Sequence, residues 1–479
     1  MKLLIGFVIV TLFSAISAED ESRAHFYKTF NKLHQEPPPP VSSDTGRILD
    51  VKTNWITQKL DHFDGSNDKT WQMRYLSSDK HFKAGGPIFI FVGGEWAVSN
   101  GYLVGGHMFD MAKEHNGYMY YTEHRYYGQS QPTENLSTEN LKFLHVKQAL
   151  HDLNHFIATV KKEVKGLENS KVVIVGGSYS ATMVTWFQVM FPGVAAGSWA
   201  SSAPLLAKLD FTEYKEIVGE SMKQMGGDDC YNRIENAVTT LENMLVSGRE
   251  AEVKSLFKLC NNFDANNDLD VYTFFSEMSE IFAGVVQSGT KASIQNVCNQ
   301  VMNSDDDVQG LASYVLKQTI GKAACVDLTY KAWLETMSDT SNTDQIMRQW
   351  IYQTCNEYGW YQTSGSKLQP FGSKFPVDLF INACRDAYKN DFTNFAIINN
   401  IQETNEFFGA LNPGTNNVYF THGQLDPWRA MGLQEEGKAT ILPEYAHCKD
   451  FGSISNNDSE EMKASKEAVA ELVRKWVAA

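Results

Sequence analysis

The run Val172-Val173-Ile174-Val175-Gly176-Gly177-Ser178-Tyr179-Ser180-Ala181 restricts this chain more than any other stretch. Its consecutive β-branched residues read as a strand buried on both faces, and the pattern that follows, through Trp186 and Phe187, reads as a helix. A sharp strand-to-helix turn between them holds its central serine in a strained conformation. Only small neighbours fit there, because a side chain would collide with the adjoining strand or helix. Here the trailing small residue is Ser180. A glycine-rich turn without chemistry is the bland alternative, but a strand before and a helix after make Ser178 a candidate nucleophile.

The surroundings supply the sheet that such a turn needs. From residue 51 to 205, short apolar runs at Trp71–Tyr75, Pro87–Val92, Tyr118–Thr122 and Val172–Val175 alternate with helical patterns, which predicts an α/β domain with a mostly parallel sheet. Residues 206–395 change character. Ile234, Ala237, Val238, Leu241, Met244 and Leu245 follow the spacing of an amphipathic helix, so this part reads as a helical insert. Residues 396–479 return to strand character at Val418–Phe420 and Ala439–Leu442 and end in a predicted helix from about Glu460 to Val477. Residues 1–18 place Lys2 before an apolar run from Leu3 to Phe13 and then small residues, the pattern of a secretory signal peptide. That run is shorter than the ~20 apolar residues of a spanning helix, so no membrane anchor is expected. Residues 19–50 are polar and contain Pro37-Pro38-Pro39-Pro40. They are expected to form an extended, exposed N-terminal extension or propeptide.

Composition narrows the partners. With 42 Lys and Arg against 57 Asp and Glu, the net charge is −15, and no basic patch is visible that would hold a nucleic acid. Cys230, Cys260, Cys298, Cys325, Cys355 and Cys384 crowd into the helical insert, while Cys448 stands apart. No paired C-x-x-C spacing suggests zinc, so disulfides are favoured, with their connectivity left open. Asp264, Asn266 and Asp268 begin like a calcium loop, but Leu269 stands where the turn needs glycine and Phe275 where a glutamate belongs. No metal and no cofactor is expected. Asn135-Leu136-Ser137 and Asn457-Asp458-Ser459 are glycosylation acceptors in a secretory compartment.

A serine hydroxyl needs a base, and after this type of turn the partners follow in the order acid, then histidine. His447 is the sole histidine after His422. Asp426 follows the strand Val418–Phe420 on a turn before Pro427 and Trp428, which makes Ser178, Asp426 and His447 a candidate triad. The oxyanion donors expected are the backbone N–H groups of Tyr179, next to the nucleophile, and Gly94, in the loop after Pro87–Val92. Glu95 in the same loop is a candidate for a substrate amine, or else a buried carboxylate that satisfies its own loop. Burial lowers the pKa of a histidine and Asp426 raises it; a compromise predicts an optimum between roughly pH 5 and 7.

GGSYSA, EHRYYGQS (Glu123–Ser130), GQLDPW (Gly423–Trp428) and AHCKD (Ala446–Asp450) together resemble the prolyl carboxypeptidase and dipeptidyl-peptidase II family of serine peptidases. WIYQTCNEYGWYQT (Trp350–Thr363) and the cysteine beside His447 are most similar to its thymus-specific serine protease branch. The resemblance implies an α/β-hydrolase fold with a helical, disulfide-bonded cap inserted between nucleophile and acid, a secreted or lysosomal location, and frequent homodimers. It carries Ser178, Asp426 and His447 over as the triad. It also implies the bridges Cys230–Cys298, Cys260–Cys325 and Cys355–Cys384, with Cys448 free. Proline-directed members place a Met four residues after the nucleophile, where this chain has Thr182 with Met183 next to it. Trp428 matches the family, two residues after the acid. The expected function is a serine exopeptidase that hydrolyses short peptides at a proline or small apolar residue through an acyl-enzyme. An esterase or lipase on the same fold, or an inactive binding protein, are the alternatives, and the peptide terminus recognised is left open.

Overall fold

Among the described residues ten strands organise the chain: β1 (Lys52–Lys59), β2 (Thr70–Ser78), β3 (Ile88–Val92), β4 (Tyr118–Thr122), β5 (Val172–Gly177), β6 (Gly197–Ser201), β7 (Lys208–Asp210), β8 (Gly359–Tyr361), β9 (Val418–Gly423) and β10 (Ala439–Leu442). The computed structural model describes residues 18–40, 50–341, 345–388 and 392–479, so the expected leader lies outside the described residues except for its last one. Eight strands form one sheet in the order β1-β2-β4-β3-β5-β6-β9-β10, and β7 pairs separately with β8. β1, β2 and β4 meet antiparallel at one edge, and every other pair in the large sheet is parallel.

β5 lies at the middle of the sheet because all its residues are apolar or glycine and can be buried on both faces. The period of two along β3 and β5 splits the core. Ile88, Ile90, Val172 and Ile174 face one layer with Leu150, Phe156 and Val184, while Phe89, Phe91, Val173 and Val175 face the other with Trp199, Val473 and Trp476. Helices Val146–Glu163 and Tyr179–Met190 supply the first layer, and helices His107–Glu114 and Glu460–Ala478 the second. This is the α/β-hydrolase fold.

A helical cap separates β6 from β9. Its disulfides are Cys230–Cys298, Cys260–Cys325 and Cys355–Cys384, the pairs the resemblance implies. The first ties helix Asp228–Val246 to helix Lys291–Val301, and the third ties the π-helical turn Thr354–Tyr358 to helix Val377–Tyr388. Cys448 is buried and unpaired with any other cysteine. Among the described residues no helix is long and apolar enough to cross a membrane.

The N-terminal segment differs from expectation. Residues Ala18–Leu33 form a helix that packs on cap helices Asp268–Ser288 and Tyr330–Met337. Phe26 is buried, and Phe30 and Leu33 pack against the same core. These three recur at i, i+4 and i+7, an apolar stripe that the high average polarity of residues 19–50 hides. The prolines that follow pack against the sheet domain, Pro37 at Tyr102 and Gly177, Pro39 at Gly101 and Pro40 at Gly106.

The bridge Cys260–Cys325 closes a large loop, its cysteines 65 positions apart. Replacing both by Ala should lower stability by about 2–5 kcal/mol. Denaturant unfolding under non-reducing conditions measures this, and an unchanged midpoint would show that the bridge contributes nothing.

Candidate active site

Ser178 sits where β5 turns into helix Tyr179–Met190, at φ 57° and ψ −131°, in the region L-residues avoid. Its neighbours hold it there. A Cβ on Gly176 would lie 2.3 Å from the carbonyl oxygen of Ser180, so only glycine permits the turn. The Ser180 hydroxyl donates to the Gly177 carbonyl and accepts from its N–H, each at 2.9 Å, and the Ser178 N–H donates to the Ser201 carbonyl on β6 at 2.9 Å. The N–H of Tyr179 opens a helix, where the first donors have no partner within the helix.

Asp426 follows β9 and caps the short helix Pro427–Met431 by accepting from the Trp428 N–H at 3.0 Å. It is fully buried and accepts from His447 Nδ1 at 2.9 Å. His447 Nε2 is also buried and makes no hydrogen bond among the described residues. The loop carrying His447 is fixed from both sides. The Cys448 N–H donates to the Ser202 hydroxyl at 3.0 Å, and the hydroxyls of Ser201 and Thr421 both donate to Asp450 at 2.5 Å. Ser178 and Cys448 therefore bond to consecutive residues at the end of β6, which brings the serine turn and the histidine loop together. Burial works to lower the pKa of His447, but the charge of Asp426 and the neighbouring Cys448 outweigh it and hold it well above the usual histidine range. Burial likewise opposes ionisation of Asp426, yet His447 keeps its carboxyl below the usual value. The compromise expected from the sequence is thus not reached: the carboxylate wins.

The cap supplies a residue with no signal in the sequence. Gln287, on helix Asp268–Ser288, accepts through Oε1 from Trp428 Nε1 at 2.8 Å and from the Tyr214 hydroxyl at 2.6 Å. Its backbone carbonyl accepts from the His447 N–H at 3.1 Å. Trp428 stands edge-on to Trp360, with ring centroids 5.6 Å apart; Trp360 stacks on Tyr358 at 4.5 Å, and Trp350 lies 5.3 Å from Tyr179. Trp350, Trp360 and Trp428 line a cavity of about 110 Å³ together with Phe30, Leu33 and His34 of the N-terminal segment. Thr182 and Met183 do not border it. Thr182 is buried with its hydroxyl donating to the Pro204 carbonyl at 2.7 Å, and Met183 faces a small cavity lined by Val92, Gly93 and Leu150.

The loop after β3 carries Gly94 and Glu95. A Cβ on Gly94 would lie 2.5 Å from the Trp96 ring, so the backbone there requires glycine. Glu95 is buried, with Oε1 3.4 Å from His34 Nδ1 and Oε2 without a partner. The EHRYYGQS motif turns out to brace this loop. Glu123 accepts from Arg74, from the Val98 N–H at 3.1 Å and from the Ser130 hydroxyl at 2.8 Å. Arg125, fully buried, donates to both oxygens of Asp152 at 2.7 and 2.8 Å and to the carbonyls of Leu60 and Phe143. Asn135 and Asn457 lie on exposed turns. Among the described residues no group of His, Cys, Asp and Glu is placed to hold a metal ion.

A serine at a strained strand-to-helix turn and a histidine bonded to a buried aspartate, set at one end of a mostly parallel sheet, mark an α/β-hydrolase of the serine type. Residues 58–469 match the family model described as "Serine carboxypeptidase S28", and the chain belongs to this family of serine-type peptidases. It is 26% identical to the thymus-specific serine protease of Mus musculus, over 89% of this chain and 87% of that protein. It is 25% identical to the lysosomal Pro-X carboxypeptidase of Mus musculus, over 94% of each. Among solved structures, a proline iminopeptidase of Mycobacterium smegmatis covers 88% of this chain and 99% of its own, at 10% identity and a TM-score of 0.39.

Arg125 would be left as an uncompensated buried charge in Asp152→Ala, which should destabilise the protein by about 3–5 kcal/mol. Urea unfolding tests it, and a loss below about 1 kcal/mol would mean that the pair is solvated or replaceable.

Proposed function

We propose that the protein is a serine exopeptidase of the secretory pathway, secreted or lysosomal, in which Ser178, Asp426 and His447 form the catalytic triad. The observation that carries this reading is the polarity of His447: Nδ1 is bonded to a buried carboxylate, while Nε2, the nitrogen that would take a proton, has no hydrogen-bond partner among the described residues. His447 Nε2 removes the Ser178 proton as the serine oxygen attacks the peptide carbonyl. The Tyr179 and Gly94 N–H groups stabilise the oxyanion that forms. Collapse of this intermediate breaks the C–N bond, and His447 gives its proton to the departing amine. Water then hydrolyses the acyl-enzyme by the same route in reverse. Asp426 fixes the imidazole tautomer and stabilises the imidazolium.

The wall formed by Trp428, Trp360 and Trp350 supports a compact apolar side chain such as proline beside the scissile bond, because flat indole faces complement a small ring and offer it few polar partners. The mouse relative's name, lysosomal Pro-X carboxypeptidase, supports the same preference. Secretion is supported by the disulfides, by the leader pattern at residues 1–18, and by relatives named as lysosomal or extracellular.

Ser178→Ala should abolish labelling by a fluorophosphonate probe and His447→Ala should nearly do so; a Ser178→Ala variant that still labels would sink the assignment. Asp426→Asn should lower kcat by about 10⁴-fold with the fold intact. The pH dependence has a definite sign. Catalysis needs neutral imidazole, and the His447 pKa is raised, so the acid limb of kcat/KM should lie above the ordinary histidine value of about 6.5. Residual activity of Asp426→Asn should show that limb displaced to lower pH. A wild-type limb well below pH 6 would contradict the dominance of Asp426.

A further inference from the structure

Residues 24–40 of the chain run past Gln287, Glu95 and Gly177, which neighbour the residues of the proposed triad or the loop after β3. The Gln287 amide, whose other atoms hold Trp428 and the His447 backbone, donates to the Leu33 carbonyl at 2.6 Å. One residue on, His34 meets Glu95 in the loop after β3 and lies 5.1 Å from the Trp350 ring. Glu36 accepts from the Tyr121 hydroxyl at 2.8 Å and from the Ser99 N–H at 3.3 Å. The Pro37 carbonyl accepts from the Tyr102 hydroxyl at 2.8 Å. Pro37 Cγ lies 3.0 Å from where a Cβ of Gly177 would stand, one residue before Ser178. Pro39 and Pro40 press against Gly101 and Gly106 so closely that a Cβ at either glycine would come within 2.3 Å of a proline carbon. The segment therefore runs from the base side of the site to the oxyanion side.

We infer that residues 24–40 hold the substrate's place in the cleft and block it, and that Gln287 and Glu95, which they occupy, are the groups that seize a peptide once the segment leaves. The inference rests on Ser178 being the nucleophile for its consequence in activity, but the occupancy itself is carried by contacts independent of catalysis. An amide that donates to the Leu33 carbonyl, and glycines at 101 and 106 that leave room only for a backbone at Pro39 and Pro40, together suit an extended peptide. The tetraproline is already stiff and extended, so ordering it in the groove loses little conformational entropy. Helix Ala18–Leu33 adds an anchor on the cap: Phe26 is buried, His25 Nε2 lies 3.4 Å from Glu277, and the Tyr27 hydroxyl donates to the Thr336 carbonyl at 3.3 Å. Covalent linkage holds the segment at high effective concentration, so a free peptide competes poorly with it.

A recognition sequence for a site-specific protease, placed after Pro40 in the full chain, lets the segment be cut and washed away from the folded protein. A cleft open only a small fraction of the time lowers apparent reactivity by that fraction. Removal should therefore raise both fluorophosphonate labelling and peptide hydrolysis by about tenfold or more. A synthetic peptide of residues 24–40 should then restore the block competitively against a peptide substrate. Equal rates before and after removal would overturn the inference. Binding of the same peptide, fluorescently labelled, to the cut protein gives a readout that does not depend on Ser178. Gln287→Ala and Glu95→Ala should each weaken it about tenfold, the worth of one well-made buried hydrogen bond to a peptide. Unchanged affinity in both variants would overturn the inference even if labelling had failed, whereas weakened affinity without any labelling would support the occupied cleft and refute Ser178 alone.

Discussion

The turn at Ser178 constrains everything around it. A non-glycine residue at φ 57° carries local strain of about 1–3 kcal/mol, and it persists only where the surroundings over-determine it. Here the serine hydroxyl two residues on closes the loop on Gly177, the Ser178 N–H is bound to β6, and the bulk of Phe451 and Pro37 lies against Gly177. For this to hold, β5 must have neighbours on both sides and helices on both faces. That is why β3 and β6 flank it in parallel, and why the chain's most apolar strands are at the centre of the sheet. The same bond to Ser201 ties the turn to β6. Ser202, next along, receives the loop that carries His447, so the geometry of one end of the proposed triad fixes that of the other.

What could be read from the sequence follows from how local its cause is. The strand-to-helix turn at Ser178 and the buried strands depend on short spacings, and the fold has them; the order of Ser178, Asp426 and His447 spans much of the chain, and their joint role belongs to the proposed function. Pairing of the six clustered cysteines could not be deduced from spacing; the family resemblance implied it, and the structure has those pairs. The N-terminal segment escaped because its stripe of Phe26, Phe30 and Leu33 is sparse, and because four prolines in a row argue equally for a solvated spacer and for a peptide laid in a groove. Gln287 had no spacing relation to the triad: it lies 447 − 287 = 160 positions before His447 and reaches it only through tertiary structure. EHRYYGQS had the opposite problem. A motif that carries a glutamate, a histidine and an arginine looks like chemistry, yet Arg125 directs its donors to Asp152 and to carbonyls, and Glu123 accepts from the Val98 N–H in the loop after β3 and from the Gln129 N–H in its own turn.

The interior of the molecule is accordingly rich in polar groups that position rather than react. The Tyr179 hydroxyl accepts from Gln353 at 2.9 Å and from Tyr358 at 3.1 Å, and Tyr358 in turn is joined to Glu357. Burial holds the carboxyl of Glu357 above its usual range, against the pull of His145 and its hydrogen bonds. This network clamps Tyr179, the residue after the proposed nucleophile, to the cap. A side chain with less packing around it could rotate, and the backbone of this proposed oxyanion donor would lose that support.

Cap and base are coupled through a single helix. The carbonyl of Gln287 holds the His447 backbone, its side-chain oxygen holds Trp428 and Tyr214, and its amide nitrogen is the one group turned toward the occupant of the cleft. Whatever fills the groove therefore bears on the same residue that sets the position of the proposed base and of the aromatic wall. A peptide whose carbonyl meets that amide tightens both at once. One that cannot reach it leaves the amide unpaired in a buried site, which disfavours binding by the desolvation of an unsatisfied donor, about 1–3 kcal/mol. The proposed base, the aromatic wall and the segment in the groove thus share Gln287, whose backbone carbonyl, side-chain oxygen and amide nitrogen carry these contacts.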